Sequence, residues 1–369
     1  MKKQKFILLA IAVGFAMYFS SCTKDELTPN SKDDILPARF SVKVPGSITA
    51  VSKKAYSSED TLQGGGIYQH LKLFIAVGDG AGKVVEGIIG AIRYYHINRP
   101  LSMTYQSDED GRSKNLVVFE KVSFEGADWD FQMNISDAES EGNPDAGLGL
   151  QIFWNNNPIK GIAILKPYNI NRNENKILES PVYKIEYSEG GESGYDSYMV
   201  VSIADLSLAN PLTDPYSLKT LKMCAGKKGA MVDVFGNTNH PNAKFFTSDA
   251  GFNWAFVASA DESANLAVAE VGLPPSNLDN STRSVLLEEY SIKNVFTNQI
   301  LSVWPGIDPG LLDGYLHNAG APGYFNESGF LQGGTSPGSE YDEVEARIEL
   351  LKPFNPSEIS SMEISFKLN

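Results

Sequence analysis

From Asn115 onward the chain alternates apolar and polar residues with a period of two. Residues 116–124 and 129–135 follow that pattern, which belongs to half-buried strands. Further apolar runs come in pairs, each pair separated by turn residues. Asn155-Asn156-Asn157-Pro158 divides 148–154 from 159–165, and Gly190-Gly191-Glu192-Ser193-Gly194 divides 182–187 from 198–203. Ala225-Gly226-Lys227-Lys228-Gly229 divides 218–224 from 230–235, and Asp261-Glu262-Ser263 divides 252–258 from 264–271. Apolar runs flanking Gly, Asn and Asp clusters predict hairpins. About ten strands follow one another with no crossover helix, so the sheet is an antiparallel up-and-down meander. A meander of that size is expected to curl into a barrel or split into a sandwich.

The flanks read differently. Phe40, Val42 and Val44 alternate, which predicts a first strand over 38–44. Residues 67–97 carry Val84, Val85, Ile88, Ile89 and Ile92 at helical spacing, and Gly87 and Gly90 leave room for another backbone. Beyond Gly272, a helix is expected over 281–301 on Val285, Leu286, Ile292, Val295, Phe296 and Leu301, with a short one over 309–316. Residues 318–340 read as a Gly/Pro/Ser loop, and 344–350 and 362–368 as closing strands. The last of these could pair with the first and close the sheet. The fold class is therefore mainly β: a meander domain over 39–275 including the helical segment 67–97, with a C-terminal α/β extension over 276–369 packed on the same domain. Glu186, Asp233 and Glu270 sit at strand centres on faces expected to point outward. Facing lipid they would cost ~2–4 kcal/mol each, which argues against a membrane barrel.

The start of the chain has its own pattern. Lys2, Lys3 and Lys5 precede an almost wholly apolar stretch over 6–19, followed by Ser20-Ser21-Cys22. That stretch is too short for a span of ~20 residues and suits the apolar region of a signal peptide. Small residues before a cysteine resemble a bacterial lipoprotein processing site, and Thr23-Lys24-Asp25-Glu26 is similar to the export signal of Bacteroidetes surface lipoproteins. The resemblance covers the N-terminal segment only. It implies cleavage of residues 1–21, lipidation of Cys22, a polar tether over 22–38, and an outer-membrane location, on the cell surface rather than the periplasmic face. In the same way Asp60-Thr61-Leu62 is similar to a Bacteroidetes O-glycosylation site.

Composition then sharpens this picture. The 369 residues hold 31 Lys+Arg and 45 Asp+Glu, a formal charge of −14. Loss of residues 1–21, with three lysines and no acid, leaves 348 residues at −17. Such a surface repels phosphate backbones, so nucleic acid is not an expected partner. With Cys22 acylated, Cys224 has no cysteine to pair with and is expected to be a buried structural thiol.

Candidate chemistry is sparse. Residues 78–83 (Gly-Asp-Gly-Ala-Gly-Lys) lack the first Gly and the Ser/Thr of a phosphate loop, with Val77 and Val84 in their places, and read as a Gly-rich kink or turn. His70, His96, His240 and His317 are too scattered for a metal motif. Asp137, Glu139, Glu141 and Asp145 around Gly142 resemble the opening of a calcium loop, although Leu148 stands where the bidentate Glu belongs. A solvated acidic loop is the simpler expectation, and no cofactor other than calcium has a candidate. Among Trp129, Trp154, Trp254 and Trp304, Trp154 beside Asn155, Asn156 and Asn157 at a hairpin tip is the best candidate for an exposed sugar-stacking platform. Trp254, between Phe252 and Phe256 on one strand face, is expected in the core.

No catalytic residues can be named. The expected function is non-catalytic binding of a glycan or a protein partner by a lipid-anchored surface protein. The alternatives are an extracellular polysaccharide hydrolase, or a structural or assembly component of the envelope, within an outer-membrane complex.

Overall fold

The structure, a computed structural model, describes residues 40–49, 64–93, 99–173, 179–206, 217–243 and 251–368. Cys22, the expected signal peptide and tether, and Asp60-Thr61-Leu62 lie outside the described residues.

Among the described residues two helices come first, α1 (Gly46–Thr49) and the thirty-residue α2 (Gly64–Arg93). Thirteen strands follow: β1 (Leu101–Gln106), β2 (Ser113–Phe124), β3 (Ala127–Asp137), β4 (Leu148–Asn156), β5 (Ile159–Leu165), β6 (Val182–Glu189), β7 (Ser197–Ala204), β8 (Thr220–Lys228), β9 (Met231–His240), β10 (Phe252–Asp261), β11 (Leu266–Gly272), β12 (Gly323–Asn326) and β13 (Gly329–Gly333). They form one antiparallel up-and-down sheet in sequence order, and it is not closed. Helix α3 (Pro167–Ile170) lies between β5 and β6. Helices α4 (Ile292–Val303) and α5 (Pro309–Tyr315) lie between β11 and β12, and α6 (Asp342–Ile348) and α7 (Pro356–Ser360) follow β13.

The meander, the four hairpins and the helix in the N-terminal half agree with the sequence. Five segments differ. Residues 40–45 form no strand. Residues 344–350 fall largely in helix α6, because Val344, Ile348 and Leu351 also recur at helical spacing and bury one face. Residues 318–340 contain β12 and β13. Residues 362–368 have no regular secondary structure, so no C-terminal strand closes the sheet. The expected helix over 281–301 is divided, with a π-helical turn over Ser284–Glu289 and a fresh start at α4, where Ser291 accepts the Asn294 N–H at 3.4 Å.

The chain divides into two compact units. One takes the described residues of Met1–Val42, Val77–Ser207 and Glu363–Asn369; the other takes those of Lys43–Ala76 and Leu208–Met362.

In the first unit one face of the sheet carries a row of opposed residues, Phe131, Trp154, Gly161, Tyr187 and Met199. Phe40 lies over this row. It stacks on Tyr187 at 5.9 Å, and a Cβ at Gly161 would stand 2.6 Å from its ring. Gly82 of α2 brings the helix against Met199, so the glycines of 78–83 belong to a continuous helix rather than to a phosphate loop or kink. The opposite face holds Trp129, Phe153, Ile162, Ile164 and Val182, covered by Ile364 and Phe366 of the C-terminal segment. Both faces are therefore dry, and β4 is buried at seven consecutive positions.

The second unit repeats the plan. Tyr68 and Phe74 of α2 pack on one face, against Phe325 and Phe330 and against Trp254 and His240. Gly323 permits this approach, since a Cβ there would stand 2.4 Å from Tyr68 Cζ. Ala255, Val257 and Val268 on the other face meet Leu286, Val344 and Ile348. Asp233 and Glu270 point to this covered face and not to water. Arg347 of α6 holds Asp233 through both carboxylate oxygens, and Arg283 reaches Glu270 at 2.7 Å. Glu186 is half-buried and lies 3.4 Å from Lys184.

Candidate functional site

The expected sugar platform at the β4–β5 hairpin is not formed. Trp154 is fully buried, stacked on Phe131 at 5.3 Å. A sugar needs an open aromatic face, and α2 and Phe40 cover the face of the sheet to which Trp154 belongs. Asn155 braces the neighbouring hairpin, accepting the Asp130 N–H at 2.7 Å and donating to Asp128 O at 3.4 Å. Asn156 and Asn157 are exposed at the tip.

The calcium candidate resolves into an ion-pair cluster. Asp137 is fully buried, and its carboxylate accepts from Arg112 at 2.8 and 3.1 Å and from Arg172 at 3.1 Å, with Lys114 at 3.7 Å. Glu139 lies 3.0 Å from Arg112, and Glu141 accepts from Asn115 at 2.7 Å. Asp145 accepts from Lys166 at 2.7 Å and Asn169 at 2.9 Å. Asp110 completes the cluster with Lys114 at 2.8 Å. Burial acts to raise the carboxyls of Asp110, Asp137 and Asp145, but hydrogen bonds from Lys114, from Arg112 and Arg172, and from Lys166 outweigh it and hold all three below the usual carboxylate range. Protein cations already supply the countercharge a divalent ion would bring. Among the described residues no group of three or more His, Cys, Asp or Glu is placed to hold a metal.

The buried polar residues of the second unit also fasten elements together. Asn237 donates to Phe354 O at 3.2 Å and accepts from Phe354 N at 2.8 Å. Asn239 donates to Ser276 at 2.7 Å and to Ser360 of α7 at 2.9 Å. Thr220 donates to Ile359 O at 2.8 Å, and His240 Nε2 lies 2.9 Å from the Thr238 hydroxyl while its ring stacks on Phe252. Cys224 is a buried thiol outside any disulfide.

Among the described residues the densest group of exposed large apolar side chains lies on the α4–α5 hairpin. Asp308 caps α5, accepting the N–H groups of Gly310 and Leu311 at 2.9 and 3.1 Å, and Pro309 begins the helix. Lys293 near the start of α4 lies 3.7 Å from Asp313 near the end of α5, so the two helices run back on one another. Ile292 and Val295 at the start, and Leu316 and Ala319 at the end, are buried. The turn between them is not. Leu301, Val303, Trp304, Leu311 and Tyr315 are all exposed, Val303 by 85% and Trp304 by 55%. Trp304 is the one tryptophan in the exposed class; Trp129 and Trp154 are buried, and Trp254 is half-buried against Phe74 and His70. The tryptophan expected to be open, Trp154, is thus buried, and the open one is Trp304. Trp304-Pro305-Gly306 follows the end of α4, where proline and glycine break the helix.

The fold defines a class, an open antiparallel meander with helices near each end. No family model matches the chain, and no curated protein or solved structure does either.

Proposed function

We propose that the protein is a lipid-anchored outer-membrane protein facing the cell surface, with a non-catalytic binding role, and that it takes a protein partner on the α4–α5 hairpin. One observation carries the choice of site: five large apolar side chains stand in water within residues 301–315, on a hairpin whose two ends are buried. A cluster of exposed apolar side chains marks an interaction surface, whereas isolated ones need no explanation. Its chemistry favours protein over glycan. Leucine and valine offer nothing to sugar hydroxyls, while a tryptophan that a partner covers is a common energetic centre of protein interfaces. The lipid anchor is supported by the order of basic, apolar and small residues before Cys22. A non-catalytic role is supported by the use of the buried carboxylates Asp137, Asp233 and Glu270, and of the half-buried Asp145, in ion pairs that join elements.

The test is co-purification of the tagged full chain from outer membranes. With Trp304→Asp and Leu311→Asp together, partner bands disappear while yield and fatty-acid labelling of Cys22 are unchanged. Bands that persist in the double variant overturn the assignment. So does glycan-array binding that the double variant abolishes.

A further inference from the structure

The sheet has two edges because it is not closed, and they differ in character. β13 is five residues long, begins and ends with glycine, and pairs with β12 through a register shift at Tyr324/Phe325. Shortness and irregularity are ways of blunting an edge against further pairing. β1 has no such device. Its sequence, Leu-Ser-Met-Thr-Tyr-Gln, contains no charge, no proline and no glycine, and its six residues pair with β2 without a shift. Among the described residues no strand other than β2 pairs with it. Ser102, Met103, Thr104 and Gln106 are exposed, Met103 by 48%.

The faces of β1 alternate cleanly. Leu101, Met103 and Tyr105 point one way, opposite Val118, Leu116 and Lys114 of β2. Ser102, Thr104 and Gln106 point the other way. A strand added outside β1 must therefore be extended, uncharged and alternating, with its apolar side toward Met103. β1 itself meets each requirement. Two copies related by a two-fold axis normal to the sheet pair antiparallel, and like faces meet only if a residue is opposed to its own counterpart. Centring the axis on Met103 opposes Met103 to Met103, Leu101 to Tyr105 and Ser102 to Thr104. No like charges face each other. The exposed Arg99 of one copy comes to the Ser107–Asp108 end of the other.

We propose that β1 is a self-association edge, and that two copies of this chain join through antiparallel β1–β1 pairing centred on Met103. The hydrogen bonds come from the open side of each strand, and the two Met103 side chains leave water together. The formal charge of −14 per chain opposes the encounter, so added salt tightens the dimer. The contact is independent of the α4–α5 hairpin.

Disulfide trapping in cells expressing the full chain tests the register. The wild type, with Cys22 and Cys224, is the background. Met103→Cys gives a disulfide-linked dimer under mild oxidant. Ser102→Cys and Thr104→Cys give one when co-expressed and not separately, because 102 opposes 104 while 102 and its own counterpart lie beyond the ~7 Å Cα reach of a disulfide. In sedimentation, Met103→Lys shifts the wild-type dimer to monomer with unchanged far-ultraviolet circular dichroism, since like charges directly opposite oppose pairing. Absence of a Met103→Cys dimer, trapping in any other register, or a wild type that sediments as a monomer overturns the proposal.

Discussion

Gln151 reads the backbone of Lys367 with both ends of its amide: Nε2 donates to Lys367 O at 3.1 Å, and Oε1 accepts Lys367 N–H at 2.7 Å. A fully buried side chain thus does for the C-terminal segment what a neighbouring strand would do. In the other unit Asn237 holds the backbone of Phe354 in the same reciprocal way. Buried amides keep such segments because they satisfy donors and acceptors that would otherwise be costly.

Gln151→Leu is expected to destabilise the protein by about 1–3 kcal/mol, the penalty of leaving buried backbone groups unmatched. Amide hydrogen exchange over 363–368 accelerates more than exchange in β4. Equal protection of the segment in the variant would mean that Ile364 and Phe366 hold it without the amide.

Acid weakens the first unit through its ion cluster. Asp110, Asp137 and Asp145 have folded pKa values below their unfolded ones. Their contribution is complete above pH ~4 and is lost as the pH falls through the lower folded values. Asp137→Asn leaves the surrounding cations without their common partner, at a cost of about 3–5 kcal/mol near neutrality. Its stability then changes less than that of the wild type below pH ~4, as urea unfolding at several pH values will show. Calcium and chelator leave both midpoints unchanged.

Lys72 supplies an alkaline signature. It is buried, with Nζ 4.9 Å from the Phe325 ring centre, and burial lowers its pKa to about 8. Between pH 8 and the ordinary lysine value the unfolded chain binds a proton that the folded chain has released, so this residue makes stability rise with pH in that window. Burial has the opposite consequence for Tyr324, pushed up to about 12, which lowers stability above the ordinary tyrosine value of ~10. The comparison belongs between pH 8 and 10, where Lys72→Met removes the rise.

Gly161 should tolerate no side chain. A Cβ there meets Phe40 at 2.6 Å and Phe153 O at 2.7 Å. Gly161→Ala is expected to cost about 1–3 kcal/mol by overpacking, with a lowered thermal midpoint. Phe40→Leu in the same background restores part of the loss.

The meander was legible because hairpin turns and period-two runs are local signals. Period two reports burial of alternate residues, not pairing. Phe40, Val42 and Val44 are all buried, as are alternate positions of many true strands, yet 40–45 makes no ladder. Val344 and Ile348 satisfy both periods, and only the surface they pack on decides for a helix. β12 and β13 were hidden by their glycines, which read as loop but serve close approach to Tyr68 and a tight turn. Trp154 failed as a site because its exposure depended on Phe40 and α2, far away in sequence. The acidic residues of 137–145 failed for the same reason, since Arg112, Lys166 and Arg172 come from other elements.

The most direct measurement is site-specific photocrosslinking in intact cells, with the probe at position 304 in the full chain. The account predicts a discrete protein adduct that disappears with Leu311→Asp and is absent when the probe stands at the exposed Leu350. No adduct at 304, or one that survives Leu311→Asp, would contradict it.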